Sequence, residues 1–283
     1  MDWSKSKIIL IVALIITNCI LFAYILNNNL IKKDSSSSPE FIKETISMLK
    51  DEGIEVDSYI PTNKTKLPSL LVEFESYDKD YINKKFFNGN GEIETPNKEV
   101  TKITFNKESL SIINTRRLIY ENTMNITQKQ KIDFNRAEEL ATIFLMDRGF
   151  DTSNMQCSYF KEEDGVYQMT FSKLYKGVSI ERSYTNFTID NGVVTSMDRL
   201  WINVKDQSEN EIYLSSAAKS LLRLLDDSSD YYGKTVTDID QCYYFDPESQ
   251  GYVDDITRVT QGRAIPAWKI QFNDGTNTVA DSF

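Results

Sequence analysis

Histidine is absent from all 283 residues. With it go the usual general base near neutral pH, the commonest metal ligand and the ordinary pH switch. Serine and cysteine triads built on imidazole are excluded, and so are zinc sites that need it. Cysteine is scarce as well: Cys19, Cys157 and Cys242 are too few for a disulfide-dense scaffold. Positive charge is outweighed, with 32 Lys and Arg against 42 Asp and Glu and a net charge of −10. Lys5, Lys7, Lys32 and Lys33 lie near the amino terminus, accompanied only by Asp2 and Asp34, so the remainder is more acidic still. That charge excludes nucleic acid, whose phosphates demand a basic face. It equally disfavours a folded face pressed against anionic lipid.

Long apolar runs are rare, and the one that exists is informative. The 19 residues Ile8 to Leu26 are interrupted only by Thr17 and Asn18. At 1.5 Å per residue they suffice for a bilayer core of about 30 Å. The run is too long for a signal-peptide core and leaves through Asn27-Asn28-Asn29 with no small-x-small exit, so a retained anchor is expected. Lysines flank both ends almost equally; the α-amino group tips the orientation towards a cytoplasmic amino terminus and an outside domain. Asn18 is the polar residue of the span. In lipid its amide seeks a partner, on a neighbouring helix or locally on its own, and it is the candidate partner-binding position.

Beyond the span the chain divides into segments. Residues 1–7 form a stub, 8–26 the membrane helix and 27–38 a polar linker containing KKDSSSS. Pro39 opens a helix to about Glu52 that Gly53 stops. Strand-like runs follow at Leu70–Ser76, Tyr81–Phe87, Val100–Phe105 and Leu110–Tyr120, completing an α+β section over 39–130. A second helix, Phe134 to Arg148, precedes a four-strand meander turned by Asp164-Gly165, Lys176-Gly177 and Asn191-Gly192, within 131–205. A third helix from about Ser216 to Leu225 leads to strands near Ile239–Phe245, Tyr252–Val259, Ala264–Phe272 and Thr276–Ala280, within 206–283.

The last two sections look duplicated. An offset of 85 residues lays Gln156-Cys157-Ser158-Tyr159-Phe160 on Gln241-Cys242-Tyr243-Tyr244-Phe245, with eight identities over the 25 positions from 156 to 180. The expected fold is α+β: a transmembrane helix, then helices packed on antiparallel sheets with a repeated helix-plus-meander unit. Tyr159, Phe160, Tyr244 and Phe245 are expected to be core aromatics of that repeat, and Trp268 is grouped with them as a structural aromatic.

Catalytic signals are weak. Glu162-Glu163-Asp164, Asp226-Asp227 and Asp254-Asp255 are carboxylate runs of the kind a glycosidase uses, but they fall in turns or at helix ends, where solvated charge is the commoner reading. Ser216-Ala217-Ala218-Lys219 matches S-x-x-K without the S-D-N and K-T-G that acyl transfer requires, so Ser215 or Ser216 reads as a helix cap. No cofactor or metal site is legible, and the sequence points away from an enzyme.

The opening Met1-Asp2-Trp3-Ser4-Lys5-Ser6-Lys7, running into a membrane helix, resembles the YycI family, as does Gly262-Arg263-Ala264-Ile265-Pro266-Ala267-Trp268-Lys269-Ile270. That resemblance implies a single-pass accessory protein of the WalK–WalR (YycG–YycF) two-component system of Gram-positive bacteria. Its implied partners are a WalK-like sensor histidine kinase, a YycH-like single-pass protein and, through 8–26, the bilayer. Its implied role is modulation of cell-wall signalling without catalysis. The small-x-Pro-x-Trp-x-Ile segment is shared more loosely with PepSY-type domains. The alternative is therefore an extracytoplasmic module that holds a secreted peptidase or cell-wall hydrolase.

Overall fold

A computed structural model describes residues 10–22, 35–124, 132–247 and 259–281. Its helices are α1 (residues 10–22), α2 (Pro39–Asp51), α3 (Lys79–Phe87), α4 (Phe134–Asp147), α5 (Ala217–Leu221) and α6 (Ser228–Tyr231). Its strands begin with β1 (Glu55–Val56), β2 (Lys66–Phe74), β3 (Glu92–Glu94), β4 (Val100–Phe105), β5 (Glu108–Ile113) and β6 (Arg117–Asn122). They continue as β7 (Met155–Glu163), β8 (Val166–Tyr175), β9 (Val178–Asp190), β10 (Val193–Leu200) and β11 (Ile202–Tyr213). The last are β12 (Thr235–Tyr244), β13 (Gln261–Phe272) and β14 (Asn277–Asp281). Among the described residues no helix is long and apolar enough to cross a membrane. The described part of the expected span, 10–22, is helical with exposed side chains; its remaining residues, and 252–258 of the expected strand, lie outside the described residues.

The strands form one mixed sheet, ordered β11-β2-β13-β12-β9-β10-β6-β5-β4-β3, with β7 and β8 joined through β9, β14 on β13 and β1 on β12. It departs from the expected all-antiparallel arrangement at β12, which runs parallel to both β1 and β9. The helices α5 and α6 bring β12 in by a crossover rather than a hairpin, which permits parallel pairing.

Three local expectations change. Tyr81–Phe87 is the end of α3, not a strand. Asp78 accepts the Asp80 and Tyr81 amides at 3.0 and 2.9 Å, Asn88 ends the helix in the left-handed region, and the Asn83 amide holds the Gly91 backbone from both sides. These caps outweigh the strand preference of Tyr81, Ile82 and Phe86. Leu110–Tyr120 is split into β5 and β6 because Asn114 and Thr115 both take positive φ and turn the chain. Val193–Val204 is split at Trp201: β10 pairs with β6 and β9, whereas β11 crosses to pair with β2.

Two large cores cut across the divisions at 130 and 205. One joins Ile82, Ile103 and Tyr120 to Phe144 of α4 and Phe187 of β9. The other joins Leu49 of α2 and Ile54 to Leu221, Trp268 and Ile270. A smaller cluster around Leu70, Ile180, Tyr243 and Phe245 fills the junction. The 85-residue offset lays β7 on β12, but β7 pairs with β8 through Cys157 and Phe171, whereas β12 pairs with β13 through Cys242 and Ala267. The same offset lays most of β8 on residues 251–258, which lie outside the described residues.

Gly149 ends α4 at φ +76°, a conformation costly for other residues. Gly262 matters for space instead: it pairs with Val72 of β2, and a Cβ there would run into the ring of Phe245, 1% exposed. Gly262→Val is expected to destabilise by about 1–3 kcal/mol through overpacking. Thermal unfolding measures it, and an unchanged midpoint would contradict the close approach.

Candidate functional site: a polar cleft on the sheet

β12 and β13 alternate between core and solvent. Ile239, Ile270 and the Trp268 indole enter the second core, while Asp238, Asp240, Lys269 and Gln271 line a cleft on the other side. The cleft has a volume of about 740 Å³, within the usual size of ligand sites. Its opposite wall comes from β7 and β8, where Ser158 and Ser172 share a hydrogen bond of 2.8 Å. Tyr159 reaches across to the β13–β14 turn and lies against Gly275.

One cluster dominates the electrostatics. Lys269 Nζ is 3.1 Å from Glu181 Oε1, and Ser179 donates to the same oxygen at 2.9 Å. The cation is thus already engaged, leaving Asp238 and Asp240 together on one strand face. Desolvation in the cleft wall, followed by the neighbouring Asp238, raises the carboxyl pKa of Asp240; Lys269 opposes the shift. A raised carboxyl contributes stability that is present below the ordinary carboxylate pKa and lost as pH rises through the folded value. Asp240→Asn is therefore expected to be more stable than the native chain at neutral pH. Both side chains open to solvent, so the gain is below about 1 kcal/mol. Denaturant titrations at neutral and acid pH test this: the difference should shrink on acidification, and a constant difference would contradict it.

The two cysteines do not pair. Burial pushes the Cys157 thiol up to about 11, and burial followed by Glu181 holds Cys242 well above its ordinary value. Both stay protonated at neutral pH and are poor nucleophiles. Ser216 caps α5 by accepting the Lys219 amide at 3.2 Å, while Lys219 faces solvent. Glu163 pairs with Lys161 at 2.9 Å on the surface; Asp226 and Asp227 sit in a turn, and Asp254 and Asp255 lie outside the described residues. The Asp238–Asp240 pair went unread in the sequence. Its signal is the two-residue spacing, which places both carboxylates on one face of a strand.

The expected aromatic set divides. Phe245 and Trp268 are each 1% exposed. Tyr244 is half-buried and donates to Asp246 Oδ2 at 2.8 Å. Tyr159 and Phe160 are not core residues: they are 41% and 53% exposed, and among the described residues β7 pairs only with β8. Phe160 rests on Phe134, ring centroids 4.6 Å apart. Asn18 donates its amide to the Leu14 carbonyl one turn back at 2.9 Å.

No family model matches the sequence, and no curated protein matches it at a significant level. Solved structures do match. An uncharacterized protein from Eubacterium rectale superposes with a TM-score of 0.53 at 12% identity, over 85% of this chain and 96% of the other. YycH from Bacillus subtilis superposes with a TM-score of 0.54 at 14% identity, over 78% of this chain. This chain spans about half, 53%, of that YycH structure. The Bacillus megaterium YpeB C-terminal domain gives a TM-score of 0.40 at 15% identity, over 74% of this chain and 94% of the other. At such identities the likeness is one of architecture: the chain has a YycH-like α+β fold.

Proposed function

We propose that this protein is a membrane-anchored extracytoplasmic regulator that binds a WalK-like sensor histidine kinase together with a YycH-like partner, and thereby modulates cell-wall signalling. The observation that carries the reading is a YycH-like fold on a chain whose first 26 residues comprise a short basic stub and an apolar segment. The two ends that resemble YycI, and the lack of histidine, are consistent with a non-catalytic role. Residues 8–26 serve as the span, with the amino terminus in the cytoplasm.

The test is co-purification of the detergent-solubilised full-length chain from Gram-positive membranes. Kinase and YycH-like protein should elute with it. Exchanging Ile8–Leu26 for an unrelated apolar span should reduce kinase recovery while the outer domain still reaches the surface. Normal recovery would assign the whole interaction to the outer domain.

The cleft beside Trp268 and Lys269 favours a second reading, a PepSY-like module that holds a secreted peptidase or cell-wall hydrolase. Elution of a hydrolase in place of the kinase would select it. A cell-wall zymogram of the full-length protein addresses the Asp238–Asp240 pair: clearing that Asp240→Asn abolishes would overturn the non-catalytic assignment.

A further inference from the structure

β12 is paired along one edge and interrupted along the other. β13 runs beside it from Val236 to Tyr244. On the opposite edge β1 pairs with Thr235 and Val236, and the Asp57 amide donates to the Val236 carbonyl at 2.9 Å. Further along the same edge β9 pairs with Cys242 and Tyr243. Both of these short pairings are parallel to β12. Among the described residues no strand pairs with 237–241 on that edge. At about 3.3 Å per residue the interruption is roughly 17 Å long, the reach of one short extended segment.

That edge opens into the cleft. Thr237, Asp238, Ile239, Asp240 and Gln241 all line it, although alternate side chains of a strand point to opposite faces. The cleft is therefore reached from the strand's edge and not from one face alone. β9 does not extend into it because Lys176-Gly177 turns the chain back into β8. At Gly177, which lines that end, a Cβ would meet nothing within 4 Å. A bulge between Val236 and Asp238 bends β12 where the interruption begins, which discourages a long flat strand from adding there.

Asp238 and Asp240 are both exposed on this stretch, and Lys269 across from Asp240 is held by Glu181 at 3.1 Å. A strand added beside β12 would set alternate side chains opposite the two carboxylates. We propose that the cleft takes a short extended segment of a partner protein, which adds to β12 in line with β1 and β9 and carries lysine or arginine at two alternate positions facing Asp238 and Asp240. Main-chain hydrogen bonds to 237–241 supply affinity, and the alternating charge selects the sequence. The proposal rests on the regulator reading for the existence of a protein partner and names the kind of segment that partner offers.

Hydrogen exchange on the full-length, detergent-solubilised protein tests it with a synthetic peptide of six residues, alternating lysine and threonine and blocked at both ends. Saturating peptide should slow exchange at 237–241 at least fivefold. It should leave 155–163 of β7 unchanged, the other strand with a single partner among the described residues. The same peptide methylated on every backbone nitrogen keeps its charges but loses its donors, and it should bind at least tenfold more weakly. The double variant Asp238→Asn/Asp240→Asn should bind the unmethylated peptide about three- to thirtyfold more weakly, through loss of two cross-strand charge pairs.

Protection at 155–163 in place of 237–241 would put the docking edge on β7. Equal binding of the methylated peptide would reduce the site to charge attraction. Native exchange at 237–241 in millimolar peptide would show that no strand adds there. Each of these overturns the proposal. If the double variant does not fold, the methylated peptide on the native chain decides. No kinase enters the measurement. Co-purification without peptide protection removes this docking mode alone, and peptide protection without co-purification removes the kinase assignment alone.

Discussion

Glu75→Ala is expected to destabilise the fold by about 3–5 kcal/mol, more than most single substitutions, because it strands a buried cation. Arg199 is completely buried. Its guanidinium reaches Glu75 Oε2 at 2.8 and 3.2 Å and Thr185 Oγ1 at 2.8 Å, and it lies 4.3 Å from the Trp201 ring. Tyr77 donates to the same carboxylate at 2.9 Å. The Lys173 side chain is buried nearby, and desolvation lowers its pKa. Removing Glu75 leaves the buried Arg199 without its counter-charge, although Glu75 itself is partly exposed. Urea denaturation of the detergent-solubilised chain measures the loss. Arg199→Met combined with Glu75→Leu should recover most of it, since an apolar pair carries no desolvation penalty. A double variant as unstable as Glu75→Ala would show that shape, not charge, holds this junction.

Trp268→Ala should destabilise by a similar amount, about 3–5 kcal/mol. The indole fills the second core and satisfies the Ser215 carbonyl, so truncation leaves both a cavity and an unpaired acceptor. Phe160→Ala and Tyr159→Ala should each cost at most about 1 kcal/mol, because edge-strand side chains keep much of their surface in water. Thermal unfolding of the three variants tests this ranking. Equal losses would mean that β7 is covered rather than exposed.

That contrast marks where the sequence was legible. Tyr159-Phe160 and Tyr244-Phe245 are the same dipeptide in similar runs, and nothing local separates them. What separates them is neighbours: among the described residues β12 has strands on both sides, and β7 has one. The candidate site was legible only in part. A cleft on the sheet face near Trp268 was named only with the PepSY-like alternative. The Asp238–Asp240 pair was not, because its facing is known only once β12 is placed against β13. A serine cap was readable as Ser215 or Ser216, and the structure selects Ser216. Its grip on Ser36 was not readable, since the contact bridges 180 residues.

Local chemistry by itself determined α2, α4 and the hairpin turns at Asp164-Gly165, Lys176-Gly177 and Asn191-Gly192. Caps, 3.6-residue periodicity and positive-φ turns act within a few residues of sequence. The absence of histidine likewise limited the available chemistry before any fold was known. Tertiary structure decided the rest: that Tyr81–Phe87 ends a helix, that the chain crosses at Trp201, that β12 runs parallel to β1 and β9, and that Ser36 is bonded to Ser216. Each depends on which distant surface buries a side chain or completes a hydrogen bond, and that free energy exists only when both partners are in place.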